Sequence, residues 1–286
     1  MGNGVNTPGE SRKSSRLWII LGVVFLALVI GGGIGLFYTV RSVSGKVEAL
    51  KERRSRLADL EAKRRDLTEA AKASAEEGTV DGMADRLSKF GESVGNAAES
   101  SSGAERQSLR VAQRVLQSMT PALATYEAAF KELQTAGFAR PETFATRQAI
   151  AARVVAVKKF GEANDQLTKT LEGMESRVRL ELEAEGVPVP NREPFVTGFL
   201  KSSNLDLNRT IRRCDTELVS VLLKMLAVLD REWGAWKSQD EEVIFNQPPV
   251  IEEYNKLVTE LEDIAERQST AQQELLNRTS KPTPMR

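Results

Sequence analysis

The sequence predicts an all-α protein. An N-terminal transmembrane helix continues into a helical stalk, followed by an elongated antiparallel bundle of four to five helices with coiled-coil-like packing. Three observations carry this expectation. One segment, Leu17–Val40, is long, apolar and free of charge. Beyond it, apolar residues recur at intervals of three and four along most of the chain. No alternating, strand-type pattern of any length interrupts them.

Leu17–Val40 holds 24 residues, fifteen of them Leu, Ile, Val or Phe. At 1.5 Å per residue it reaches about 36 Å, enough to cross a hydrocarbon core of about 30 Å with some tilt. Its apolar side chains favour insertion by at most about 5–9 kcal/mol. Gly22, Gly31, Gly32, Gly33 and Gly35 reduce that gain. Trp18 at one end, and Phe37 and Tyr38 at the other, stand where aromatic belts meet lipid headgroups. A signal peptide has an apolar stretch of only about 7–15 residues, so an uncleaved signal-anchor with a single pass is expected. The Gly31-x-x-x-Gly35 pair suits close packing of two spans, although glycine is frequent in membrane helices for other reasons.

The flanking charges pull in two directions. Arg41, Lys46, Lys51, Arg53 and Arg54 follow the span, against Arg12, Lys13 and Arg16 before it. That count favours a cytoplasmic bulk. Long domains translocate largely regardless of charge, and a short N-terminal tail normally stays inside. The expectation is therefore an extracytoplasmic bulk.

The elements follow in order. Residues 1–16 read as a disordered tail. The stalk, 41–77, sets Val43, Val47, Leu50, Leu57, Leu60 and Leu67 on one stripe, but Arg54 and Arg64 take positions that a coiled coil makes apolar. Gly78–Gly82 reads as a turn. The bundle, 78–276, opens with a helix over about 82–136. There Leu109, Ala112, Leu116, Met119, Leu123, Tyr126, Phe130 and Leu133 step by three and four. Ser100–Gly103 is a candidate break and Pro121 a kink. A third helix, about Pro141–Glu185, carries Ile150, Val154, Val157, Leu167, Leu171, Met174, Val178 and Leu182. Gly186–Asn191 reads as an extended connector.

The fourth helix, about Pro194–Val243, is interrupted near Ser202–Asn204. Its seam is Leu207, Ile211, Cys214, Leu218, Val221, Met225 and Val228. Leu222, Leu229, Trp233 and Trp236 widen this seam beyond the need of a two-stranded coiled coil, and they form the candidate interaction face. The last helix starts at Pro249 with Ile251, Tyr254, Leu257, Leu261, Ile264 and Leu275. Residues 277–286 read as a second disordered tail.

Composition narrows the chemistry. Lys plus Arg is 40 and Asp plus Glu is 40, so there is no global electrostatic case for nucleic acid. Histidine is absent and Cys214 is the single cysteine. That removes His-based acid–base work, intrachain disulfides and Cys/His zinc sites. Glu241–Glu242 and Glu252–Glu253 read as solvated carboxylates. The stretch 230–274, with 12 acidic and 4 basic residues, lacks calcium-loop spacing. Lys51–Arg56 and Lys63–Arg65 are interleaved with acids, which suits a solvated stalk better than a lipid-binding patch. Asn208-Arg209-Thr210 and Asn277-Arg278-Thr279 match the glycosylation pattern, a short pattern that also arises by chance. No phosphate loop, dinucleotide fingerprint or nucleophile elbow occurs. No catalytic, cofactor-binding or metal-binding residue is expected, no cofactor is implied, and the chain is not expected to be an enzyme.

The layout resembles bacterial membrane-anchored coiled-coil and bundle proteins, including cell-division scaffolds and chemoreceptor sensor bundles. That likeness of layout transfers no residues. The expected function is a membrane-anchored structural, tethering or protein–protein interaction module, with self-association or a protein partner. The alternative is an extracytoplasmic ligand-sensing bundle. It would signal through a separate membrane partner, because a tail of 16 residues is too short to fold into a signalling domain.

Overall fold

The computed structural model describes residues 47–77, 82–137, 143–144, 146–239 and 242–280. The expected span Leu17–Val40, with Trp18, Phe37 and Tyr38, lies outside the described residues. Among the described residues no helix is long and apolar enough to cross a membrane.

The described chain is predominantly helical. Its helices are α1 (Val47–Glu77), α2 (Met83–Glu99), α3 (Gly103–Thr135), α4 (Arg147–Glu172), α5 (Met174–Ala184), α6 (Val189–Ser202), α7 (Leu205–Arg231) and α8 (Pro248–Ser280). The long helices pack in a chain of contacts: α1 on α2, α2 on α3, α3 on α4 and α5, α4 on α7, and α7 on α8. A contact between α8 and α1 closes the ring. Ion pairs fix the directions. Arg231–Glu253, Arg267–Glu217 and Arg278–Asp206 run opposite ways along α7 and α8, so those two helices are antiparallel over their length. At Gly161 a Cβ would lie 3.2 Å from Val219 Cγ1, so the missing side chain lets α4 and α7 approach closely.

Helix ends fall where the sequence offers breakers. Ser100–Ser102 separates α2 from α3, and Asn204, with a left-handed φ of 47°, separates α6 from α7. Pro121 sits inside α3, which continues through it. The third predicted helix is divided at Gly173 into α4 and α5. The extended connector is shorter than predicted, because α6 already begins at Val189. Pro190 is tolerated there, since an amide N–H in the first helical turn has no intrahelical partner to lose. At the other end, α8 runs to Ser280 with Thr279 buried, past the predicted tail boundary at 277.

The chain was expected to stay helical to Val243 and to contain no strand. Instead Trp236–Gln239 (β1) and Glu242–Phe245 (β2) form an antiparallel hairpin, with Trp236 opposite Phe245. The helix stops because Gly234 takes a left-handed φ of 86° just past α7, a conformation glycine adopts freely. Trp236 then folds back, and its Nε1–H donates to the Leu229 carbonyl at 2.9 Å. That carbonyl belongs to the last turn of α7 and has no intrahelical donor.

The stalk's imperfect seam also finds a cause. Leu60, Leu67 and Ala71 of α1 are buried with the bundle core, and so is Arg64. Arg64 Nη1 donates to the Thr279 carbonyl at 3.0 Å, while its Nε reaches Glu61 Oε2 at 3.0 Å. A cation on the C-terminal carbonyls of α8 satisfies both the orphan acceptor and the helix dipole. Arg64→Met is expected to lower stability by about 1.5–3 kcal/mol, the usual worth of a charge-assisted hydrogen bond. It should also speed amide exchange over 276–280. Unchanged exchange there would mean that Arg64 does not hold the end of α8.

Candidate functional site

The predicted interaction face divides in two. Leu222 and Leu229 are buried in the common core, at 5% and 1% exposure. Trp233 and Trp236 are half-buried at its edge. Their rings meet edge-on with centroids 5.7 Å apart. Phe144 meets Trp236 in the same way at 6.4 Å, and the Arg153 guanidinium lies 4.2 Å from the Phe144 ring centroid. These aromatics cap the bundle end that carries the hairpin. The sequence placed both tryptophans on one helix, whereas the structure joins them across the end of α7.

A second cluster, not singled out by the sequence pattern, lies inside the bundle. Arg212, Asp215 and Thr216 project from one side of α7, at spacings that share a helix face. Three other helices each send one polar group to meet them. Tyr126 of α3 donates its hydroxyl to Asp215 Oδ2 at 3.1 Å. Gln268 of α8 donates to Asp215 Oδ1 at 2.8 Å. Asn164 of α4 accepts from Arg212 Nη1 at 3.2 Å and donates to the Arg212 carbonyl and to Thr216 Oγ1, both at 3.1 Å. Within α7, Arg212 Nη1 and Asp215 Oδ2 are 3.0 Å apart. The guanidinium also lies 4.5 Å from the Tyr126 ring centroid. Arg212, Asp215, Asn164, Tyr126 and Gln268 are all buried.

Burial raises the Tyr126 hydroxyl well above its ordinary pKa and pushes the Asp215 carboxyl up. Arg212, Gln268 and Tyr126 pull Asp215 partly back. For Arg212, burial acts downward, but Asp215 and Tyr126 outweigh it and hold the guanidinium charged. Aromatic packing flanks the layer: Phe160 lies 5.3 Å from Tyr126 and 5.9 Å from Phe130. The layer is therefore a hydrogen-bonded plug of polarity in an apolar interior.

The sequence held a signal for it. The α4 stripe skips from Val157 to Leu167, and Phe160 and Asn164 fill that gap. The stripe on α8 skips from Ile264 to Leu275, and Gln268 and Gln272 fill it, both buried. A polar residue at a missing stripe position is a candidate for a core partner, and the mutual geometry comes only from the fold.

A third group clamps α5 to α3. Glu181 and Glu185 have nearly buried side chains, and Arg114 pairs with both, at 3.1 and 2.5 Å. Arg177 pairs with Glu181 at 2.7 Å. Gln107 Nε2 donates to the Glu185 carbonyl at 2.9 Å, which satisfies the end of α5.

Cys214 is 1% exposed, and burial pushes its thiol up. The thiolate is the reactive form, so native protein is expected to resist thiol reagents and to label only as α7 is uncovered. Labelling with a disulfide dye across a urea series checks this; rapid labelling without denaturant contradicts it. Asn208 is fully buried, which removes its sequon from the folded surface. Among the described residues no group of three or more His, Cys, Asp or Glu is placed to hold a metal ion. No family model, no curated protein and no solved structure matches the chain.

Proposed function

We propose that the protein is a membrane-anchored helical-bundle module that holds a protein partner, or a second copy of itself, at a set distance from the bilayer. Leu17–Val40 is the anchor in this reading, and the bundle stands on the extracytoplasmic side. The observation that supports it best is the seating of α1. The described helix nearest the expected span, α1, packs on the bundle. It buries Leu60, Arg64, Leu67 and Ala71 against the bundle and ties the last turn of α8. At 31 residues, α1 reaches about 46 Å, and its buried residues from Leu60 to Ala71 tie that length to the core. The exposed apolar side chains Leu180 and Val189, at 62% and 72%, and the edges of Trp233 and Trp236 offer contact points for a partner.

Chemical crosslinking in membranes, followed by purification of the full chain in mild detergent, tests the reading. The expected result is a defined homo-oligomer or one stoichiometric partner. A strictly monomeric chain that captures nothing contradicts it.

A further inference from the structure

We infer that the Tyr126–Asn164–Arg212–Asp215–Gln268 layer is a register lock, which selects one axial position of α7 against its neighbours from several that hydrophobic packing alone leaves close in energy. The apolar face of α7 repeats with little variation: Leu207, Ile211, Leu218, Leu222 and Leu229 are all buried aliphatic residues at helical spacing. A slip of one turn moves α7 by about 5.4 Å and exchanges one aliphatic residue for another. Volume and hydrophobicity are nearly conserved in that exchange, and cores tolerate such swaps.

The polar layer does not tolerate the slip. Asp215 takes its hydrogen bonds from Tyr126 on α3 and Gln268 on α8, and Asn164 on α4 bonds Arg212 and Thr216. Those bonds come from three helices at a single level. After a one-turn slip, Arg212 and Asp215 face apolar neighbours, and Tyr126, Asn164 and Gln268 lose their partners together. Leaving buried charges and amides unmatched is far costlier than exchanging one aliphatic contact for another. The layer thus gives the bundle a single arrangement, as a buried polar residue fixes register in coiled coils. A module that presents surface residues at fixed positions depends on that uniqueness.

The test separates register from stability. In full-length Cys214→Ser protein in mild detergent, two engineered cysteine pairs report the α7–α8 register. Glu217→Cys with Arg267→Cys joins positions that form an ion pair in the native register. Glu217→Cys with Asp263→Cys joins positions one turn out of register. With the polar layer intact, only the first pair is expected to form a disulfide efficiently. With Arg212→Met and Asp215→Leu added, the protein is expected to keep its helical signal, while the second pair crosslinks at least ten times more than before. If the doubly substituted protein stays folded and crosslinks only the native pair, the register lock is overturned. Should that variant unfold, Asn164→Leu with Gln268→Leu removes the layer's partners on α4 and α8 and is read by the same pairs under the same two outcomes.

Discussion

Asp215→Leu is expected to destabilise the folded chain by about 3–5 kcal/mol, the usual cost of removing one partner from a buried ion pair. The effect comes mainly from what remains. Arg212 keeps its charge at any accessible pH, and in the variant it sits buried without its carboxylate. Tyr126 and Gln268 lose their acceptor in the same step. Adding Arg212→Met to the same chain is expected to recover most of that loss, because an apolar pair of similar volume leaves no orphaned charge. Urea unfolding of the three proteins in one detergent measures both steps. Single and double variants of equal stability would contradict the orphaned Arg212 charge as the source of the loss.

The second large effect is expected at Phe160. Its ring is fully buried between Tyr126 and Phe130, where α3 meets α4. Phe160→Ala removes that packing and leaves a cavity, at a cost of about 3–5 kcal/mol. The tilted contacts at 5.3 and 5.9 Å add to the loss, since aromatic pairs contribute about 0.5–1.5 kcal/mol beyond area burial. Because the cavity borders the polar layer, coupling between Phe160→Ala and Asp215→Leu is also expected. A double-mutant cycle should show their effects departing from additivity by more than about 0.5 kcal/mol. A loss of less than 1 kcal/mol for Phe160→Ala alone, read from the urea midpoint at constant slope, contradicts the packing described.

The helical class was legible because amphipathic stripes of period 3.6 run through nearly every described segment. Breaks at Ser100–Gly103 and Ser202–Asn204 were legible because their residues favour caps and turns over helix interiors. The hairpin at Trp236–Phe245 was not. Two strands of four residues are shorter than any window in which alternation stands out, and Trp233 and Trp236 fit a helical seam equally well. Arg64 was legible as an anomaly but not as a cap, since its partner carbonyl lies 215 positions away. The polar layer follows the same logic. Asn164 and Gln268 stand in the stripe gaps, while Arg212 and Asp215 directly follow the seam residues Ile211 and Cys214 and lie off the aliphatic stripe. Only the ring of helices brings the four together with Tyr126. Of the candidate face, Leu222 and Leu229 prove to be core, because the broad apolar side of α7 is used up by α4 and α8.

The proposed span at Leu17–Val40 would hold this bundle at a membrane. Alkaline carbonate extraction of membranes bearing the full chain, beside a chain that begins at residue 41, tests it most directly. The full chain is expected to stay with the lipid pellet, and the shortened chain, its bundle still folded, to be released. Release of the full chain, or retention of the shortened one, would contradict it.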